Sequence, residues 1–167
     1  MFSLPSGFPS DLIGAFKVLT TRPELTIEDL RVLAVIEAAG EEFYLRIAKS
    51  VRNTEAKALL TQNGLEERGH AHRLVKAIAV ESGETFVLPE PQENPFIASM
   101  PTEFPATAEF LEMLETGEQD GDRQYQIWAD GASTPAVAKI LRQNGREESR
   151  HAERDAQALR LIAARTS

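Results

Sequence analysis

Residues 60–73 read LTQNGLEERGHAHR, and residues 141–154 read LRQNGREESRHAER. Nine of these fourteen positions are identical at a constant offset of 81 residues, so the chain carries an internal repeat. Carried backwards, the same offset sets Leu30, Leu33, Glu37, Gly40, Tyr44 and Ala48 against Leu111, Leu114, Glu118, Gly121, Tyr125 and Ala129. The steps between them are three or four residues, which marks one face of an α-helix. Off that face the halves have drifted, with Phe43 against Gln124 and Arg46 against Ile127. Each half reads as a pair of helices that has kept its inward stripe.

Local punctuation places four long helices. The first opens on Thr26 as N-cap, with Glu28 and Asp29 in its first turn, and runs to about Val51; carboxylates there suit the helix dipole. Asn53 caps the second, which continues to about Glu81 with Gly83 just beyond its end. Pro89, Pro91, Pro95, Pro101 and Pro105 exclude a long helix between 83 and 106. The third runs from Thr107 to Asp130, and the link Gly131-Ala132-Ser133 leads to Thr134 as cap and Pro135 at the first position of the fourth. That helix extends to about Ala163. Short links make two antiparallel hairpins, 26–82 and 107–163, and the long connection between them spans the length of the bundle. Strand signals are absent. The expected fold is all-α, an antiparallel four-helix bundle over 23–167, preceded by an extension over 1–22 with a short amphipathic helix from Asp11 to Leu19.

The inward stripe contains charge, which a core does not tolerate without reason. Glu37 stands among Leu30, Leu33, Ala34, Tyr44 and Ala48; Glu67 and His70 among Leu60, Ala71, Leu74 and Ile78; Glu148 and His151 among Leu141, Ala152 and Leu159. A lone ionised carboxylate in such surroundings costs several kcal/mol or stays protonated. Four that converge need cations. Glu-x-x-His puts both side chains on one helical face, and two such pairs with one glutamate from each remaining helix make a carboxylate-bridged dimetal site. Four carboxylates and two divalent ions sum to zero charge. Mixed oxygen and imidazole donors suit iron or manganese rather than calcium or magnesium. The metal-ligand candidates are thus Glu37, Glu67, His70, Glu118, Glu148 and His151, with Glu115 and Asp122, each one turn from Glu118, as additional candidates.

Other residues have two readings. Tyr44 and Tyr125, the only tyrosines, either pack in the core or donate a hydrogen bond to a metal-bound carboxylate. Gly40, Gly64, Gly121 and Gly145 lie inside helices at a cost of about 1 kcal/mol each relative to alanine, which points to close helix approach, room for a small oxidant, or inheritance by duplication. His72 points away from His70 and reads as surface. Glu41, Glu66, Glu147 and Asp155 read as solvated.

Composition narrows the function. The net charge of −8, with no Lys/Arg run, disfavours nucleic acid as a partner. The absence of cysteine removes disulfides, thiol catalysis and iron–sulfur centres. No stretch approaches the roughly 18 apolar residues of a membrane span, and the first basic residue is Lys17, so a secretory signal is not expected. A cytoplasmic protein is the expectation.

Across residues 26–163 the sequence resembles the ferritin-like superfamily, and within it the rubrerythrin-like branch. The residues carrying the likeness are Glu37 with Tyr44, Glu66-Glu67-Arg68-Gly69-His70, Glu118 with Tyr125, and Glu147-Glu148-Ser149-Arg150-His151. The resemblance implies a centre of two iron ions, or manganese, oxidised by peroxide or dioxygen. It further implies Glu67 with His70 and Glu148 with His151 as ligands, and Glu37 and Glu118 completing or bridging the pair. Rubrerythrins also carry a cysteine-bound iron in a rubredoxin-like domain, which a cysteine-free chain cannot hold, and an extra carboxylate on the third helix, for which Glu115 and Asp122 are the candidates. The expected function is therefore a di-iron oxidoreductase that takes electrons from an external donor. Iron binding or ferroxidase action without turnover, a hydroxylase similar to the demethoxyubiquinone hydroxylases, and a manganese catalase stand as alternatives. The apolar run Leu12, Ile13, Phe16 and Leu19 needs cover, and a homodimer interface would supply it.

Overall fold

Six α-helices and one 3-10 turn make up the regular structure, with no strand among the described residues. The structure is a computed structural model describing residues 2–164; Met1 and the last three residues of the expected bundle, 165–167, lie outside it. The helices are α1 (Leu12–Thr20), α2 (Ile27–Ser50), α3 (Thr54–Ser82), α4 (Pro95–Ser99), α5 (Ala108–Asp130) and α6 (Pro135–Ala163).

The ends follow from local chemistry. Thr26 and Asp29 form a reciprocal capping box, Asp29 N–H donating to Thr26 Oγ1 (3.2 Å) and Thr26 N–H to Asp29 Oδ2 (3.0 Å). Asn53 Oδ1 accepts from the amides of Glu55 and Ala56. Gly83 ends α3 with φ +71°, a left-handed conformation that glycine adopts without strain. Thr107 and Thr134 cap α5 and α6.

The 83–106 connection is more structured than five prolines suggested. Pro91 and Pro95 start helical turns rather than break them: Pro91–Glu93 is the 3-10 turn and Pro95 opens α4. Buried Asn94 caps α4 through Oδ1 and donates Nδ2 to Val35 O of α2 at 2.9 Å. Phe96 is fully buried, and Arg46 Nη1 reaches Met100 O and Pro101 O at 2.9 and 2.8 Å. The connection is thus stitched along α2.

The long helices pack as two hairpins, α2 with α3 and α5 with α6, and α3 lies against α6. All four contribute to each of two apolar clusters. One gathers Leu30, Leu33, Leu74, Ile78, Trp128, Val137 and Leu141 with α1 and Phe96. The other gathers Tyr44, Ile47, Leu60, Leu111, Leu114 and Ala158. The first cluster takes the start of α2 and α6 and the end of α3 and α5; the second takes the opposite ends. Partners within each hairpin therefore run antiparallel, and a polar middle is plugged at both ends by apolar side chains.

Part of the N-terminal run finds cover within the chain: Leu19 is fully buried and Leu12 and Phe16 pack on the first cluster. Ile13 stands exposed. No helix among the described residues is long and apolar enough to cross a membrane.

Candidate metal centre

Six side chains meet halfway along the long helices because helical phasing aims them inward. Glu37 comes from α2, Glu67 and His70 from α3, Glu118 from α5, and Glu148 and His151 from α6. Both histidines are fully buried; Glu37, Glu67 and Glu148 are 4–6 % exposed. They form two overlapping groups, Glu37, Glu67, His70 and Glu148, and Glu67, Glu118, Glu148 and His151, with the donor atoms of each group within 4.8 Å of one another. Glu67 and Glu148 belong to both groups, and Glu37 and Glu118 to one each. The family likeness let Glu37 and Glu118 bridge; the geometry gives them outer places and gives the shared places to the two Glu-x-x-His glutamates.

Each histidine turns Nδ1 into the cluster and Nε2 away from it. His70 Nδ1 lies 3.1 Å from Glu148, 3.2 Å from Glu37 and 3.4 Å from Glu67. His151 Nδ1 lies 3.1 Å from Glu67, 3.3 Å from Glu148 and 3.6 Å from Glu118. The outer nitrogens are held crosswise between the repeats: His70 Nε2 by Glu147 and His151 Nε2 by Glu66, both at 3.2 Å. Arg73 pairs with Glu147, and Arg154 grips Glu66 at 2.8 and 3.0 Å. Arg73 and Arg154 also bond Asn144 and Asn63, whose amides reach the backbone carbonyls of His70 and His151. A carboxylate on the far nitrogen fixes ring orientation and raises the basicity of the inner nitrogen, as metal-bound histidines require.

The tyrosines also cross. Tyr125 donates to Glu37 at 2.7 Å, and Tyr44 donates to Glu118. Each phenol holds the glutamate of the other repeat, which is the hydrogen-bonding reading rather than packing alone.

The electrostatics describe a site short of positive charge. Burial and the charge of Glu67 push Glu37 up to about 7, and the same causes push Glu148 well above the carboxylate range. Burial also works against Glu67, but the imidazoles beside it, His151 first and then His70, outweigh it and hold that carboxyl well below its usual range. Burial alone would lower both histidines; the surrounding carboxylates, Glu148 first for His70 and Glu118 first for His151, raise them well above their ordinary value. The hydrogen bond from His70, with Arg73 beside it, brings Glu147 down to about 2. Without metal, the carboxylates recruit protons onto the imidazoles and onto each other.

The donors fit a pair of divalent cations. His151 Nδ1 is buried without a hydrogen-bond partner, although three carboxylates surround it. An inward nitrogen lone pair ringed by carboxylate oxygens could serve as a ligand set, and two divalent ions would balance four carboxylates with both imidazoles neutral. Comparison of the chain with protein-family models, curated proteins and solved structures finds no match.

The additional candidates lie elsewhere. Asp122 accepts from Ser149 and from Gln126 Nε2 at 2.7 Å, and Glu115 faces Gln119; neither joins the two groups. His72 is exposed. The mid-helix glycines mark close approach: a Cβ on Gly40 would meet Glu67 Cγ at 3.0 Å, and one on Gly64 the Glu41 carbonyl at 3.1 Å. Two surface grooves flank the hairpins, one of about 660 Å³ between α2, α3 and the connection, the other of about 360 Å³ between α5 and α6. None of the six donors lines either groove.

Three carboxylates read as solvated are not. Glu66 and Glu147 hold the histidines, and Asp155 is fully buried, accepting from Tyr44 at 2.9 Å and Asn63 at 3.0 Å. Burial, with Glu118 nearby, pushes Asp155 up to about 8. For Asn63, Glu66 and Arg73 and their partners Asn144, Glu147 and Arg154, the signal was present in their identity across the repeat. Asp155 has no such signal, since its counterpart is Leu74.

Proposed function

We propose that this chain is a rubrerythrin-like di-iron oxidoreductase, its long helices a ferritin-like four-helix bundle, which reduces hydrogen peroxide or dioxygen with electrons from an external donor. The observation that carries this reading is the meeting of two Glu-x-x-His pairs and two further glutamates in two overlapping groups. Glu37, Glu67, His70 and Glu148 would hold one ion, and Glu67, Glu118, Glu148 and His151 the other. A bound pair of ferrous ions supplies two electrons at one place, the number that takes hydrogen peroxide to water. Glu66 and Glu147 keep the imidazole rings turned inward, while Tyr44 and Tyr125 keep the outer glutamates in place. The apolar clusters on either side keep bulk water from the carboxylates, which strengthens every charge interaction there. Small oxidants are favoured over organic substrates because neither surface groove is lined by a donor. The chain has no cysteine, so no iron–sulfur relay returns electrons, and a donor must dock.

Stopped-flow oxidation of the anaerobically loaded ferrous protein tests this. The expected result is rapid oxidation by peroxide in one turnover and sustained turnover only with a supplied reductase. Fast single oxidation without turnover under any donor would indicate iron binding alone. Rapid peroxide loss with no donor would mean catalase chemistry instead.

A further inference from the structure

Between α3 and α4 the chain runs unpaired past a groove. Residues 85–88 alternate exposed and part-buried, which is the two-residue period of a strand. Thr85, Phe86 and Val87 are strand-favouring residues in an otherwise helical protein. Phe86 and Leu88 pack on the first apolar cluster, while Val87 is 78 % exposed. Among the described residues, the backbone of 85–88 makes no hydrogen bond. The segment is nonetheless pinned. Glu84 pairs with Arg31 at 2.6 Å, the Arg31 guanidinium lies 5.9 Å from the centre of the Phe86 ring, and Phe2 meets that ring edge-on. Further on, Asn94 ties the connection to Val35 O. A strand edge held in place with its amides and carbonyls unused is a template for another strand, and its ordering cost is already met in the fold.

The groove of about 660 Å³ follows this edge, with the run from Phe86 to Glu90 on one side and α2 and α3 on the other. Its charge is unequal: Glu41, Glu42 and Glu90 stand against Arg68, with His72 beside it. Glu42 is taken up by Arg46 at 2.8 Å, but Arg68 stays 3.6 Å from Glu41, beyond hydrogen-bond reach. The excess is acidic. A second copy of the same edge is a poor occupant. Antiparallel pairing centred on Val87 sets Glu84 against Glu90, and Thr85 against Pro89, which has no N–H to give.

We propose that the 85–88 edge binds, by strand addition, an extended segment of a partner protein in which apolar residues alternate between lysine- or arginine-bearing flanks. Backbone hydrogen bonds to 85–88 hold the segment, Ala71 and Val75 of α3 floor the groove under its inward side chains, and its flanks meet Glu41 and Glu90. The second hairpin offers no such edge, because its groove of about 360 Å³ is lined by α5 and α6 alone. Binding here needs no metal and goes beyond the function proposed above.

The test is fluorescence anisotropy of a labelled, end-capped synthetic peptide of alternating valine and threonine flanked by lysines, titrated with the full metal-free chain. Saturable binding of one peptide per chain is expected, about tenfold or more tighter than for the same peptide with glutamate flanks. N-methylation of one alternate set of peptide amides should weaken binding about tenfold, and of the other set should not, since only every second amide of a strand faces its neighbour. Glu90→Lys should weaken the lysine-flanked peptide and strengthen the glutamate-flanked one; the exposed Glu90 side chain makes no cap bond, so the thermal melt should stay unchanged. No saturable binding of the lysine-flanked peptide, equal binding of both N-methylated forms, or a preference for glutamate flanks overturns the proposal. A dimer of the natural chain that the peptide displaces makes the occupant a second copy and overturns it as well.

Discussion

The α2–α3 and α5–α6 hairpins bring the same donors to the centre and surround them differently. The first sets Gly40 so close against Glu67 that an added Cβ would meet Cγ at 3.0 Å. Its outer groove, lined by Ala38, Arg68, Ala71, His72 and Val75, is walled by Phe86, Val87 and Leu88 of the connection. The second leaves Gly121 at an ordinary 3.6 Å from Glu148 but is the closer of the two at Gly145, where an added Cβ would meet Tyr125 Cβ at 2.9 Å against 3.1 Å from Gly64 to Tyr44. Its groove, lined by the repeat counterparts Gln119, Ser149, Ala152, Glu153 and Ala156, has no residue of the connection in its walls. Duplication supplied equal halves, and the single long connection can cover only one of them. What the halves share is then the part under chemical constraint, and where they differ is where the protein has been free to specialise.

The comparison breaks most completely at the shared glutamates. Because Glu67 and Glu148 serve both groups, Glu67→Gln or Glu148→Gln should abolish tight binding of both ions, measured as iron per chain after anaerobic loading and desalting. Glu37→Gln or Glu118→Gln should cost one ion and leave the other. His70→Ala and His151→Ala should behave alike and lose at least one ion each; a large difference between them would mean that the halves do not contribute equivalent sites.

A second effect concerns pH and runs in opposite directions with and without metal. In the metal-free protein Glu37 is raised to about 7, Asp155 to about 8 and His70 well above its ordinary value. The unfolded chain releases these protons at lower pH than the folded chain does, so folding stability falls as pH rises from about 5 to about 8. In the loaded protein the protons of Glu37 and His70 have been displaced by metal, and binding strengthens as they become easier to remove, so stability should rise over the same window. Thermal melts of both forms at several pH values check the sign.

Gly40 and Gly121 sharpen the comparison at one matched pair of positions. Gly40→Ala should cost about 1–3 kcal/mol through the clash with Glu67, whereas Gly121→Ala has room and should gain up to about 1 kcal/mol from helix propensity. Denaturant melts of the two variants give the comparison directly. The smallest effect belongs to His72→Ala, which should leave iron content unchanged; loss of iron there would mean that α3 is rotated from the phase described.

The four long helices and their ends were readable because caps, prolines and the 81-residue offset are local or periodic signals. Thr26, Asn53, Gly83, Thr107 and Pro135 each act within a few residues of their own position. The six inward donors were readable for the same reason, since a charged residue on an apolar stripe is visible without knowing its neighbours. The roles of Glu66 and Glu147 were not, because each holds a histidine of the other hairpin, and no spacing within one helix reports which helix will cross it. Crosswise tyrosine bonds escaped in the same way: Tyr44 lies two turns from Glu37 but reaches Glu118. Asp155 was hidden more deeply, as its burial depends on Tyr44 and Asn63 from two other helices. In the connection, the prolines were read only as breakers, and Asn94 reaching Val35 O is a contact made across 59 residues.

The most direct test of the central claim is an anaerobic titration of metal-free protein with ferrous iron, followed by isothermal calorimetry and by iron analysis after desalting. Six donors in two overlapping groups predict saturation at two equivalents per chain, with protons released to solvent as the ions displace them from the imidazoles. Saturation at one equivalent, or no tight binding with the histidines intact, would contradict the di-metal centre and with it the function proposed for this chain.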